Sequence, residues 1–186
     1  NLRLGSGIAP VREAVDLGLN VGIGTDGSHC SDNQNMFEAM RIASFVSRIR
    51  SPDTNQWFRT SEIMTMATEG SAKVLGFGDK IGKIAIGSFA DIVFLNLDNV
   101  NFVPFNDPTN QIVHTEDSSA VESVMESKGI DAMVVRQGLW EAVERVKLRI
   151  PVTALATGGG AGNAVSRGTG PGVCHGGPAG AAVVVV

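Results

Sequence analysis

Several large classes of protein are excluded by what this 186-residue sequence does not contain. There is no run of about 18 apolar residues, the length needed to cross a bilayer as a helix, so no membrane partner is expected. The opening residues, NLRLGSGIAP, hold no basic segment followed by an apolar core, so they do not read as a secretion signal. Only two cysteines occur, Cys30 and Cys174, in very different contexts. They exclude a disulfide scaffold and fit free thiols in a reducing compartment, so a cytoplasmic location is expected. The net charge is −4, and the basic residues are scattered apart from Arg41, Arg48, Arg50 and Arg59. That is too little clustering for an electrostatic footprint on nucleic acid. Histidine is scarce too: His29, His114 and His175 are the three, and none sits in an H-x-H pair. The first residue is Asn rather than Met. The chain is expected to begin inside a longer protein.

The sequence does contain an alternation of helix and strand signals. PVREAVDL, Pro10 to Leu17, reads as a short helix with Val11, Ala14, Val15 and Gly18 on one face, and Gly18 stops it. Val21 to Thr25 follows as an apolar strand, which makes the pair half of an α/β unit. After a polar stretch, DGSHCSDNQ, a longer helix begins near Asn35. Met36, Phe37, Met40, Ala43, Val46 and Ile49 recur there at helical spacing, and Ser51-Pro52-Asp53 ends it. Trp57 and Phe58 read as packing anchors under a loop. Thr60 is placed to cap a third helix, Ser61 to Leu75, with Glu62 in its first turn, Ile63, Met64, Ala67, Ala72 and Leu75 inward, and Gly76 at its close. From Ile81 the texture changes to strands and turns: KIAI, a turn at Gly87-Ser88, then ADIVFLNL, with FVPF, Val121 to Met125 and Asp131 to Arg136 as weaker strand candidates. From Pro151 the chain turns Gly-rich and loses periodicity. Such a segment buries too little surface to offset the ordering of its backbone, and 151–186 is expected to be disordered.

One short stretch is ambiguous. Gly22-Ile23-Gly24-Thr25-Asp26-Gly27 spells G-x-G-x-x-G. A dinucleotide loop needs a helix starting at the third Gly and an acidic residue about 20 positions on. Here Gly27 leads into a polar loop, and Ser47 and Arg48 stand at the second distance. The other reading is a strand, VGIGT, with two glycines at a close backbone approach or a tight barrel wall, and with Asp26 at its C-terminal end. In parallel α/β folds ligands and catalytic groups gather at that end. Spacing alone leaves open whether Asp26 serves chemistry or bonds its own turn.

The flanking residues resemble a known family. LGSGIAPVREAVDLGLNVGIGTDGS is similar to the last barrel segment of the amidohydrolase superfamily, in the cytosine/guanine deaminase-like and triazine hydrolase-like branch that includes the methylthioadenosine/adenosylhomocysteine deaminases. MATEGSAKVLGF resembles the helix that follows the final barrel strand in that branch. IGKIAIGSFADIVFLNLD resembles the entry to its C-terminal β-domain, and FNDPTNQIVHT a further block of it. The likeness covers roughly residues 1 to 138 and leaves the tail outside. It implies the C-terminal part of a (β/α)8 TIM-type barrel in 1–77 and a small β-rich composite domain in 78–150; the Gly-rich tail, 151–186, is set apart by its composition.

The resemblance also implies a chemistry. The family holds a divalent metal, commonly zinc, with iron as another choice, on histidines of earlier strands and an Asp of the eighth. Asp26 falls on that Asp. It would be a metal ligand and would carry a proton from the attacking water to the leaving nitrogen of a purine, pyrimidine or related N-heterocycle. A metal such as zinc lowers the pKa of bound water to about 7, and an amidine-like carbon releases ammonia only if the leaving nitrogen is protonated. The family's other ligands match none of this chain's histidines, so the chain is expected to be a C-terminal fragment that is inactive alone. Ser6 and Gly7 match the loop after the seventh strand. Ser28, His29, Cys30 and Asn33 are candidate pocket residues, since loops after barrel strands carry specificity. Each also has a plain structural reading. Ser6 and Gly7 would form a turn, His29 would be solvated, and Cys30 would be a small loop residue. Asn33, with Asp32, would cap the next helix. His114 reads as structural. Two alternatives stand beside deamination: hydrolysis on a triazine-like ring, and a non-catalytic remnant of a truncated gene. The substrate is expected to be a small heterocycle and the full-length enzyme a homo-oligomer.

Overall fold

A computed structural model describes residues 1–125 and 181–185. Helix α1, Val11–Asp16, is followed by α2, Ser28–Ser31, and by α3, Met36–Arg50. Next come α4, Thr60–Thr65, a π-helical turn at Met66–Gly70, and α5, Ser71–Val74, which run on as one rod. Strand β1, Ile92–Asn96, precedes α6, Pro108–His114, then β2, Val121–Met125, and β3, Ala181–Val185.

The helix ends follow local chemistry. Asn35 caps α3, its side-chain oxygen accepting from Phe37 N at 2.9 Å and Glu38 N at 3.3 Å. At the end of α1, Leu19 N donates to Ala14 O and Gly18 N to Val15 O. Phe77 N and Gly76 N repeat this on Ala72 O and Lys73 O after α5. These are two Schellman closures at the glycines where the sequence stops each helix. Thr60 is the first residue of α4 rather than its cap. Glu62 Oε2 reaches back to accept from Arg59 N at 2.8 Å, which satisfies one donor of the first turn.

Among the described residues the larger of two apolar clusters forms the main core. Phe37, Met40, Phe58, Ile63, Met66 and Ala67 pack with Leu95, Leu97, Phe102, Ile112, Val113 and Ala120. Trp57 anchors its loop through Nε1 to Ser51 O at 2.8 Å. Two residues expected inside are not. Ile49 is 73% exposed and Leu75 67% exposed, because each lies at a helix end beyond the reach of the cluster. Glu116, fully buried, ties its own turn together by accepting from Ala120 N at 3.0 Å.

The sheet has the order β2-β1-β3, with both neighbours antiparallel to β1. ADIVFLNL therefore forms the central strand, trimmed to Ile92–Asn96, and Val121–Met125 is a strand as expected. Several expectations are corrected. KIAI forms no ladder strand, since among the described residues nothing pairs with it. FVPF instead closes a 3-10 turn, Val100–Phe102, and continues through a cis Val103–Pro104 bond. The His114 stretch, to which the sequence assigns no element, is helix α6, started by Asp107 accepting from Asn110 N at 2.9 Å with Pro108 in its first turn. The tail is not wholly without structure: Ala181–Val185 pairs along the second edge of β1, as a run of small and β-branched residues offered a free strand edge can do. The candidate strand at 131–136 and most of the tail lie outside the described residues.

Val21 to Thr25 is a more instructive difference. Its burial alternates, with Val21, Ile23 and Thr25 half-buried and Gly22 and Gly24 exposed, as in a strand. Yet no strand pairs with it among the described residues. It lies instead against the π-turn, with Ile23 N donating to Met66 O at 3.2 Å. The approach is so close that a Cβ on Gly70 would stand 2.3 Å from Val21 O, and one on Gly22 would stand 2.8 Å from Ser71 Cα. Gly24 has open space around it. Gly70→Ala is therefore expected to cost about 1–3 kcal/mol by overpacking against rigid backbone, while Gly24→Ala stays within about 0.5 kcal/mol of the parent. Denaturant melts of the two variants check this.

Helices α3 and α6 are joined through His114. Asn110 Oδ1 accepts from its Nδ1 at 2.5 Å, so Nε2 accepts from Ser44 Oγ at 2.9 Å, and Phe45 stacks on the ring. Burial, reinforced by the Arg48 and Arg41 guanidiniums, holds the imidazole below its usual pKa of 6.5. The unfolded chain then binds more protons just below pH 6.5, so stability rises with pH through that window and falls as the pH drops through it. His114→Gln should flatten this slope in melts recorded from mildly acidic to neutral pH.

Candidate active site

Asp26 closes the stretch that packs on the π-turn. Its backbone is left-handed, with φ 64°. A non-glycine residue pays for that conformation in strain, and Asp tolerates it best because its short side chain bonds locally. Here Oδ1 accepts from Gly27 N at 2.7 Å. The carboxylate is exposed and stands on the wall of a cleft of about 970 Å³ between the N-terminal loop, α1 and α3.

The other expected site residues divide. Gly7, Cys30 and Asn33 line the cleft with Asp26, whereas Ser6, Ser28 and His29 do not. Ser28 opens α2, and the His29 ring folds back over Gly27, where a Cβ would meet its Cε1 at 2.9 Å. Asn33 does not cap α3; its Nδ2 donates to Glu38 on the first turn of that helix, and Asn35 is the cap. Asp32 ends α2 with φ 60° and pairs with Arg3, an ion pair that ties the N-terminal loop to the loop after Asp26. The polar loop expected after Gly27 thus contains one helical turn starting at Ser28. A four-residue turn is too short to present the dipole of a phosphate-binding helix, and the acidic residue about 20 positions on is still lacking.

Two other features of the wall were not singled out in the sequence. Arg12, on α1, lines the cleft and grips Glu62 through both terminal nitrogens at 3.1 Å, with its guanidinium 4.0 Å above the Phe58 ring. The π-turn behind Asp26 carries no short-range signal beyond a Gly-Ser pair in a helical pattern, which is why a regular helix was expected there.

In parallel α/β enzymes catalytic groups gather at the C-terminal ends of strands, and Asp26 stands at the corresponding end of its extended stretch. Residues 1–147 match the amidohydrolase family, and the chain belongs to that family. Among curated relatives, the 5-methylthioadenosine/S-adenosylhomocysteine deaminase of Acetivibrio thermocellus is 37% identical over 157 residues, covering 84% of this chain and 35% of that protein. The deaminase of the same name from Pyrococcus furiosus is 36% identical over 124 residues, covering 67% of this chain and 29% of its own length. Among solved structures, an adenosine deaminase from Xanthomonas campestris with bound zinc superposes with a TM-score of 0.64 at 26% identity, covering 79% of this chain and 36% of that one. A triazine hydrolase variant gives 0.63 at 32% identity, covering 76% and 33%. The chain spans about a third of the length of these relatives.

The described residues do not by themselves fit a metal. Among the described residues no group of three His, Cys, Asp or Glu side chains converges, and Asp26 stands as a single hard donor. The purified 186-residue chain is therefore expected to hold no stoichiometric zinc by elemental analysis after dialysis, and tight one-to-one zinc would overturn that expectation.

Proposed function

We propose that this chain is the C-terminal portion of a metal-dependent hydrolase that acts on carbon–nitrogen bonds other than peptides, and that its reaction is hydrolytic deamination of a purine, pyrimidine or related N-heterocycle. The observation that carries the reading is Asp26: an exposed carboxylate, held in a left-handed backbone conformation on a cleft wall, in a chain whose family relatives are named as deaminases. Asp26 would be this chain's single contribution to a site for zinc or another divalent ion such as iron. The remaining ligands, by this reading histidines, would come from residues outside the chain. Such an ion supplies water acidified to near neutral pH. Asp26 would accept a proton from the attacking water on a carboxylate oxygen and give it to the leaving nitrogen, so that ammonia rather than an amide anion would depart. Gly7, Cys30 and Asn33 would contact the heterocycle from the same wall. The chain alone is inactive in this reading, because one carboxylate neither holds the ion nor surrounds the substrate. The (β/α)8 barrel, the small β-rich domain and a homo-oligomer belong to the complete enzyme.

The likeness to triazine hydrolase favours a second reading, in which the same site hydrolyses a triazine-like ring. The two differ in the leaving group, so ammonia or chloride release distinguishes them. In the complete enzyme that carries this segment, Asp26→Asn should lower turnover by about 10²–10⁴-fold while the protein still folds, the span typical of a lost general acid–base. Activity within about tenfold of the parent, in either release assay, would sink the assignment.

A further inference from the structure

Ser71 makes contacts that a helical serine does not ordinarily make. Thr65 and Thr68, in the same rod, return their hydroxyls to carbonyls four residues back, Ser61 O at 3.0 Å and Met64 O at 2.8 Å. Ser71 Oγ lies 2.9 Å from Met66 O but also 2.9 Å from Ile23 O, and it accepts from Ile23 N at 3.1 Å. It thus engages both backbone groups of one residue in another segment. Ile23 N is shared with Met66 O, the carbonyl at which the π-turn begins. A π-turn inserts one extra residue into the helix, and such turns occur frequently at functional sites. Here it offers Met66 O to the neighbouring segment and sets Gly70 and Ser71 against Val21 and Gly22, where no Cβ fits.

We propose that Ser71 is a positioning residue for Asp26: with the π-turn Met66–Gly70 it holds the extended stretch in register and so sets where the carboxylate stands in the cleft. The proposal rests on the reading of Asp26 given above. Three Cα steps of about 3.3 Å each lead from Ile23 through Gly24 and Thr25 to Asp26, a reach of roughly 10 Å. A shift of about 1 Å at its far end can cost about a hundredfold in rate, since catalysis depends on the approach geometry.

The test uses the complete enzyme that carries this segment, with ammonia release as the assay and amide hydrogen exchange as a readout that needs no turnover. Ser71→Ala should lower kcat about 10–100-fold with KM within about twofold, because substrate contacts are untouched while the acid–base group is displaced. Exchange at Ile23 should quicken about tenfold in the same variant, with α3 and α6 unchanged, from the loss of one hydrogen bond. Ser71→Thr, which keeps the hydroxyl, should restore most of both. Should Ser71→Ala fail to fold, Ser71→Cys keeps the volume with a weak donor and should fall between parent and loss. Unchanged exchange at Ile23, or kcat within about twofold of the parent while Asp26→Asn abolishes turnover, would overturn the positioning role and leave the Asp26 reading standing. Full turnover in Asp26→Asn would overturn both.

Discussion

The contact between Ile23 and the π-turn is the constraint on which the candidate site depends. Val21 to Thr25 has the alternation of a strand but no ladder among the described residues. Without a ladder, its backbone groups need other partners, because an unpaired backbone donor shielded from water costs as much as a lost hydrogen bond. Ser71 Oγ and Met66 O provide them at Ile23. Those bonds form only because two glycines let the segments approach to distances that any side chain at 22 or 70 would forbid.

From that contact the cleft follows. The stretch ends at Asp26, whose left-handed turn sends the chain into α2 and back toward α3. The Arg3–Asp32 pair draws the N-terminal loop to the loop beyond, while the Asn33–Glu38 bond fastens that loop to α3. Both pairs are exposed, so their energetic worth is small and their effect is on the geometry of the rim. Deeper support comes from Arg12, which is bound to Glu62 and stacked on Phe58, and which fixes α1 against α4. Behind these, Phe37, Ile63, Phe102 and Ile112 form a core that joins α3 and α4 to the segment after residue 78. The packed core thus lies on one side of Asp26 and the cleft on the other.

Membership of the amidohydrolase family and the deaminase names of its relatives concern proteins about three times as long as this chain. What the chain adds is the architecture around one carboxylate.

Much of this was legible in the sequence. The apolar spacing of Met36, Phe37 and Met40 marked α3, and Gly18 and Gly76 marked two helix ends, because amphipathic period and terminal glycine act over a few residues. Asp107-Pro108 is a legible start for α6, but a helix of seven residues has too little periodicity to be read as one from the sequence. Asp26 was singled out by its place after an apolar stretch and by the family resemblance. Local sequence determined α1, α3, the helix closures at Gly18 and Gly76, the central strand β1 and the carboxylate at the end of VGIGT. Only the tertiary structure decided that this stretch would rest on a helix, that KIAI would find no ladder among the described residues, that Ala181–Val185 would join β1, and that Gly7, Cys30 and Asn33 would share a wall with Asp26 while His29 turned away. Each of those outcomes depends on what the rest of the chain brings alongside, and neither period nor propensity records that.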